Sequence, residues 1–249
     1  MPSLSAYRQE LEYSYAPGFF PAMEALKKRP ACVERILIHS RALDTQAGAD
    51  LMKQAELCHV RTETADRALS RISGKENCYA AAVFRKFADQ LSPDRPHVVL
   101  HQPSDCGNVG TILRTALGFE LEDVALIRPC ADVFDPKTVR ASMGSIFSLR
   151  VHMYPDFESY RSASPDHRLY PFMLDASVPL EQALEDGVPM TCALVFGNEG
   201  TGLPAVFSGM GQAVRIPSGS RVDSLNLSIA AGIGMYRFSQ ALGLWKPGT

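Results

Sequence analysis

Three stretches of this chain set polar side chains and glycines at spacings that suit chemistry. FGNEGTGLP, Phe196 to Pro204, places three glycines around one carboxylate, Glu199, directly after the apolar run CALVF. Glycine-dense loops after strands cradle phosphates when a lysine accompanies them, or when the glycines open a helix onto a pyrophosphate. Neither condition is met. Glu199 would repel a polyphosphate, whereas glycines let a backbone come close to a flat or uncharged ligand. The same residues also suit a plain strand-to-loop turn with an exposed glutamate.

The second stretch is HQPSDCGNVGTILRTALGFE, His101 to Glu120. Asn108 is placed to cap a helix on which Val109, Ile112, Leu113, Ala116 and Leu117 form one apolar face. Gly118 suits the stop. Arg114 falls off that stripe, so it is either a solvated arginine or a group leaning toward whatever occupies the strand end. The third stretch is VRIPSGSRVDSLNLSIAAGIGMYRF, Val214 to Phe238. Its strand ends at Pro217, and a loop bearing Ser218, Ser220, Ser224 and Asn226 leads to a helix that Ser224 or Asn226 can cap. Ala230, Ala231, Gly232 and Gly234 lie inside that helix. An interior glycine costs about 1 kcal/mol against alanine, so these small residues imply close packing on a sheet or another helix.

The elements that must position these stretches follow from pattern. The chain has 249 residues, 46% hydrophobic and 21% charged, an ordinary globular composition long enough for one large domain or two modest ones. The clearest seam is ADQLSPDRP, Ala88 to Pro96, and it predicts domains at 1–92 and 93–249. Before it the pattern predicts helices over about 3–14 and Pro21–Lys28, strand Val33–His39 and helix Ala47–Leu57. A short strand near Cys58–Thr62, helix Ala65–Ile72 and strand Tyr79–Phe84 complete a small α/β layer. After the seam, near-continuous apolar runs predict parallel strands at Val98–Gln102, Val124–Arg128, Leu149–Met153, Leu169–Leu174, Cys192–Phe196 and Ala213–Ile216. Ligands in such sheets bind beyond the carboxyl ends of strands, where all three stretches fall.

The formal net charge is -2 and the pI about 6.3, so no global basic field announces a polyanionic partner. Residues 1–92 carry 13 Lys and Arg against 11 Asp and Glu, and the remainder 12 against 16. That asymmetry favours an anionic partner for the N-terminal part. Six scattered cysteines, without C-x-x-C or metal spacing, read as small hydrophobes in a reducing compartment. With no signal pattern and no membrane-length apolar run, a soluble cytoplasmic protein without a metal is expected.

Taken together, the three stretches resemble the SpoU-type RNA ribose methyltransferases of the trefoil-knot (SPOUT) class. The resemblance rests on N-x-G-x-x-x-R-T-A at Asn108–Ala116, F-G-N-E-G-x-G-L at Phe196–Leu203, and I-P followed by S-L-N-x-S-x-A-A-G at Ile216–Gly232. RASMG, Arg140–Gly144, is similar to a further family stretch. It implies an α/β domain with a deep trefoil knot over residues 93–249, preceded by a small α/β RNA-binding domain. It further implies S-adenosylmethionine as cofactor, and a homodimer through the C-terminal helix and the helix after Asn108. The cofactor site would comprise Leu194, Phe196, Gly197, Ile216, Ser218, Ser224, Leu225 and Asn226, with the backbone of Gly197, Ile216 and Leu225 holding the adenosine part. Asn108, Arg114, Glu199, Ser224 and Asn226 match the polar active-site set, with Glu199 facing Arg114. Cys106 stands where the family often has proline, and Ser218 where methionine often follows Ile-Pro.

The implied reaction carries a methyl group to a ribose 2′-hydroxyl of ribosomal or transfer RNA. The family proposal has Arg114 activate the hydroxyl; a guanidinium with a pKa above about 12 is a poor base, and gripping a phosphate is the other role open to it. Lys27, Lys28, Arg29 and Arg140 are candidate phosphate contacts, although KKR also suits a helix end favoured by the dipole. The alternatives are an RNA-binding knotted protein without transfer activity and a base-methylating SPOUT enzyme. A dinucleotide oxidoreductase is disfavoured because no G-x-G-x-x-G follows a strand.

Overall fold

The computed structural model describes residues 5–73, 78–176, 178–219 and 221–245. Ser220, one of the loop serines singled out above, lies outside the described residues. Contacts divide the chain into two units, one of residues 1–87 with 132–148, the other of 88–131 with 149–249.

The first unit carries strands β1 (Tyr13–Pro17), β2 (Val33–Ile38), β3 (Arg61–Thr64) and β4 (Ala80–Arg85), with helices α1 (Phe19–Lys28), α2 (Gln46–Leu57) and α3 (Asp66–Ser73). The sheet order is β1-β4-β2-β3, antiparallel except for the β2–β3 pair. The helix expected over 3–14 is absent from its described part. Tyr13 to Pro17 instead pair with Arg85 to Ala81. Tyrosine suits a pleated surface, and β4 offers an unpaired edge that a helix would leave unsatisfied. The short strand lies at Arg61–Thr64 rather than Cys58–Thr62, because the end of α2 turns at His59 through a positive φ of 56°.

The contact division falls after Phe87, five residues ahead of the boundary expected at 92, and the first unit does not end there. Residues 132–148, expected in the second domain, return to it and contribute helix α5 (Pro136–Ala141). Phe134 and Phe147 are buried around Phe84 and Phe87, with Phe84 and Phe147 edge-to-face at 4.9 Å. Burying such a ring contributes about 1.5–3 kcal/mol, which explains the attachment and escapes any reading of linear segments.

The second unit is built on β5 (His97–His101), β6 (Asp123–Ile127), β7 (Arg150–Tyr154), β8 (Arg168–Pro171), β9 (Val178–Pro179), β10 (Cys192–Phe196) and β11 (Val214–Arg215). Its helices are α4 (Cys106–Gly118), α6 (Phe157–Ala163), α7 (Leu180–Ala183) and α8 (Leu227–Ala241). Five strands form a wholly parallel sheet in the order β7-β6-β5-β10-β8, and β9 and β11 pair separately. β5, β6 and β10 are buried throughout, as the apolar runs VVL, VALI and CALVF require, with His97, His101 and Asp123 buried at strand ends. β8 ends at Pro171 instead of Leu174, and Phe172 makes only an isolated bridge to Val214.

Candidate active site

In the five-stranded sheet the chain runs from β5 outward to β6 and β7 on one side, then fills β8 and β10 on the other. The adjacent carboxyl ends of β5 and β10 therefore mark the topological switch point, where open parallel sheets hold ligands.

Glu199 ties the two loops together there. Its Oε2 accepts the Ser104 backbone N–H at 2.9 Å and the Ser104 hydroxyl at 2.8 Å. Its Oε1 accepts the Asp105 N–H and the Asn108 side-chain amide, both at 3.1 Å. Burial pushes this carboxyl up, but the Ser104 N–H, the Asn108 amide and the Ser104 hydroxyl outweigh it and hold the pKa at about 2. The expected pairing of Glu199 with Arg114 is not made: four donors already surround the carboxylate. Arg114 is exposed and makes no side-chain hydrogen bond or ion pair among the described residues.

Asn108 does not cap its helix. Asp105 does, its carboxylate accepting the Asn108 N–H at 2.7 Å. This frees the Asn108 side chain to donate to Glu199 and to accept the Asn226 amide at 3.1 Å. Asn226 is the N-cap of α8 and its Oδ1 accepts the N–H groups of Ser228 and Ile229, so it holds both the helix end and the network. Gly118 is the last residue of α4 rather than its stop. The left-handed residue is Glu120 at φ 58°, and the Leu121 N–H reaches back to the Ala116 carbonyl at 2.9 Å, a Schellman closure.

The glycine-dense loop folds on itself. Asn198 and Gly202 exchange backbone hydrogen bonds at 3.2 and 3.0 Å, and the Asn198 side chain accepts the Gly200 N–H while donating to the Gln102 carbonyl. A Cβ on Gly197 would lie 2.3 Å from the Gly202 carbonyl carbon. Glycine there is dictated first by the tightness of the turn.

A cleft of ≈ 220 Å³ opens beside this loop. Phe196, Gly197, Ile216, Ser218, Ser224 and Leu225 line it, as does Glu199. Leu194 does not: it is fully buried within β10. Asn226 stands outside the lining, at the helix cap. The sequence reading missed Phe172, Met173 and Leu174, which form one wall. The run YPFML was read as strand throughout, and only its length beyond the four-residue β8 hinted at more. No lysine or arginine lines the cleft among the described residues. Apolar walls and an ionised Glu199 at the rim suit an uncharged or cationic ligand. Among the described residues no group of three or more His, Cys, Asp or Glu is placed to hold a metal ion, and no helix is long and apolar enough to cross a membrane.

Of the candidate phosphate contacts, Lys27 and Lys28 are exposed in the last turn of α1. Arg29 is already committed: its Nε donates to the Phe147 carbonyl at 3.0 Å and its guanidinium stacks 4.0 Å from the Phe87 ring centre. Arg140 belongs to the first unit, not the second.

A parallel α/β unit with a cleft at its switch point, lined by two of the three polar loops and free of Lys and Arg among the described residues, defines an α/β ligand-binding unit of the open-sheet class. The chain belongs to the SpoU rRNA Methylase family, whose model matches residues 95–236, more than half of its length. It is 33% identical to a 23S rRNA (adenosine(1067)-2'-O)-methyltransferase of Streptomyces laurentii over 61% of this chain and 57% of that protein. It is 29% identical to a 23S rRNA (guanosine(2553)-2'-O)-methyltransferase of Bacillus subtilis over 86% of this chain and 83% of that one. The fold matches the crystal structure of an AdoMet-bound rRNA methyltransferase from Sinorhizobium meliloti with a TM-score of 0.79 at 24% identity, covering 94% and 90% of the two chains.

Proposed function

We propose that the protein is an S-adenosylmethionine-dependent RNA methyltransferase that acts on a ribose 2′-hydroxyl. The observation that carries this reading is the hydrogen-bonded chain Glu199–Asn108–Asn226, which draws the three motif loops into one site beside a cation-free cleft. Phe172, Leu174, Ile216 and Leu225 offer apolar walls for an adenine, and the Ser224 hydroxyl and the backbone of the Gly197 loop offer polar contacts. The S. meliloti neighbour was solved with AdoMet and the named relatives methylate ribose in 23S rRNA, which supports the same cofactor and substrate class here.

The bound cofactor supplies an electrophilic methyl group on a sulfonium; the residues described here orient and stabilise. Glu199 is a positioning residue rather than the base, because a carboxyl near pKa 2 with four donors has little appetite for a proton. Unpaired Arg114 is the group free to grip the phosphate beside the target ribose and to stabilise charge developing on its oxygen. With the cofactor supplying the methyl group, Arg114 would hold the hydroxyl oxygen as its proton is given up, and the saturated Glu199 would not be the group that takes that proton.

The reading extends to a trefoil knot and a homodimer. α8 packs on α4, and it leaves Ile229, Ile233 and Tyr236 exposed at 55, 36 and 39%. That face suits a second copy meeting it through the same two helices. The first unit, with Lys27, Lys28 and Arg140, is assigned to RNA. Mass-spectrometric mapping of ribose methylation, in RNA from cells with and without the protein, tests the proposal. A ribose methyl that disappears with the protein supports it; a lost base methyl, or no lost methyl, overturns it.

A further inference from the structure

Several cations of the first unit are spent on partners within the chain. Arg35 pairs with Glu63, Arg85 donates to the Ala31 carbonyl, and Lys86 donates to the Gln9 carbonyl. Arg71, Lys137 and Arg140 are different. They surround one cleft of ≈ 250 Å³ between α3, α5 and the segment at Tyr7, and none has a side-chain hydrogen bond or ion pair among the described residues. Lys137 and Arg140 are three apart in α5 and share a helix face; Arg71 approaches from the last turn of α3. One acid, Asp135, shares the lining, and its Oδ1 is taken by the Lys137 N–H that it caps.

We propose that this cleft binds the phosphodiester backbone of the RNA substrate. The inference rests on the RNA methyltransferase reading and locates a subsite of it. Unpaired cations held around one concavity carry a standing mutual repulsion that an anion relieves. Guanidinium groups grip phosphate oxygens in a bidentate fork, while the lysine acts as a point charge. Cations on two separate elements suit successive phosphates of a strand better than one small anion. The apolar body of Ile72 and the ring of Tyr7, whose hydroxyl is held by Asp132, leave a wall for the sugar.

The test uses the full chain, randomly fragmented 23S rRNA as probe, and substitutions Arg71→Gln, Lys137→Gln and Arg140→Gln, singly and combined. Each lost phosphate contact should flatten the slope of log affinity against log salt by about 0.7–0.9, so the triple variant should lose about 2–3 in slope. Its RNA affinity should fall tenfold or more, with thermal midpoint and S-adenosylmethionine affinity unchanged. The reciprocal Arg71→Lys variant should restore most of the slope. A triple variant that folds and binds RNA with wild-type affinity and slope overturns the cleft. So does saturable binding of inorganic phosphate at the cleft that leaves RNA binding untouched. If the wild-type chain methylates no RNA ribose, the underlying reading fails instead, and that result is read in a separate assay.

Discussion

At the scale of single residues, the site is a matter of which side chains are already satisfied. Glu199 is saturated and Arg114 is not. Arg114→Ala should therefore abolish methyl transfer while calorimetry shows S-adenosylmethionine affinity within about twofold of wild type; lost cofactor binding would point to a structural role. Glu199→Gln should act differently, weakening cofactor binding by roughly tenfold, about 1.4 kcal/mol, because an amide must now confront donors. Folding lowers the Glu199 pKa from 4.5 to about 2, so the ionised carboxylate stabilises the fold fully above about pH 4.5. That contribution is lost as pH falls toward 2. Acid titrations of stability should be shallower across this window in Glu199→Gln, and identical curves would show the carboxylate contributes nothing. Spacing and resemblance singled out Asn108, Arg114, Glu199 and Asn226, and hydrogen bonds join the first, third and fourth of them. Their pairings were not legible, since the partner of Glu199 lies more than ninety positions away in the chain and Asp105 competes for the cap.

At the scale of elements, helix α8 shows how one glycine differs from its neighbour. A Cβ on Gly234 would meet the Phe172 ring at 2.6 Å and the Phe196 ring at 3.1 Å, between rings already stacked at 4.4 Å. Gly234→Ala should cost about 1–3 kcal/mol by overpacking, seen as a lower thermal midpoint. Gly232 would present its Cβ only to Thr115, at 3.9 Å, so Gly232→Ala should not lower that midpoint. Close packing was legible in the run of small residues, but which glycine needed it was decided by two rings from elsewhere in the unit, Phe172 just beyond β8 and Phe196 at the end of β10. Apolar runs likewise marked the buried parallel strands well. The N-terminal strand was misread as a helix because its partner, not its own pattern, determines it.

At the scale of the whole molecule, two outcomes separate assembly from architecture. Ile233→Glu should convert the proposed dimer to monomer in light scattering, whereas Lys28→Glu should leave the mass unchanged; a wild-type monomer would refute the dimer. Removing residues 1–87 should not release a well-behaved catalytic fragment. Phe134 and Phe147, 4 and 2% exposed, would lose Phe84 and Phe87, and the fragment should bind hydrophobic dye and aggregate. A soluble, dye-silent fragment would refute this. Composition marked a polar stretch from Ala88 to Pro96 and set the boundary at 92 rather than after Phe87; the return of residues 132–148 left no mark, because nothing local distinguishes a segment that packs with earlier chain from one that packs with later chain.

That return also sets a timetable. Translation adds roughly 5–20 residues per second, and domains tend to fold as they emerge. The first unit cannot close its core when Phe87 appears, since Phe134, α5 and Phe147 are still unmade. Meanwhile β5, α4 and β6 of the second unit are synthesised during a wait of a few seconds. The two units must therefore be born interleaved, the first with its four strands made but its core open and the second with only β5 and β6 of its sheet, and the nascent chain is most vulnerable to aggregation or chaperone capture in that interval.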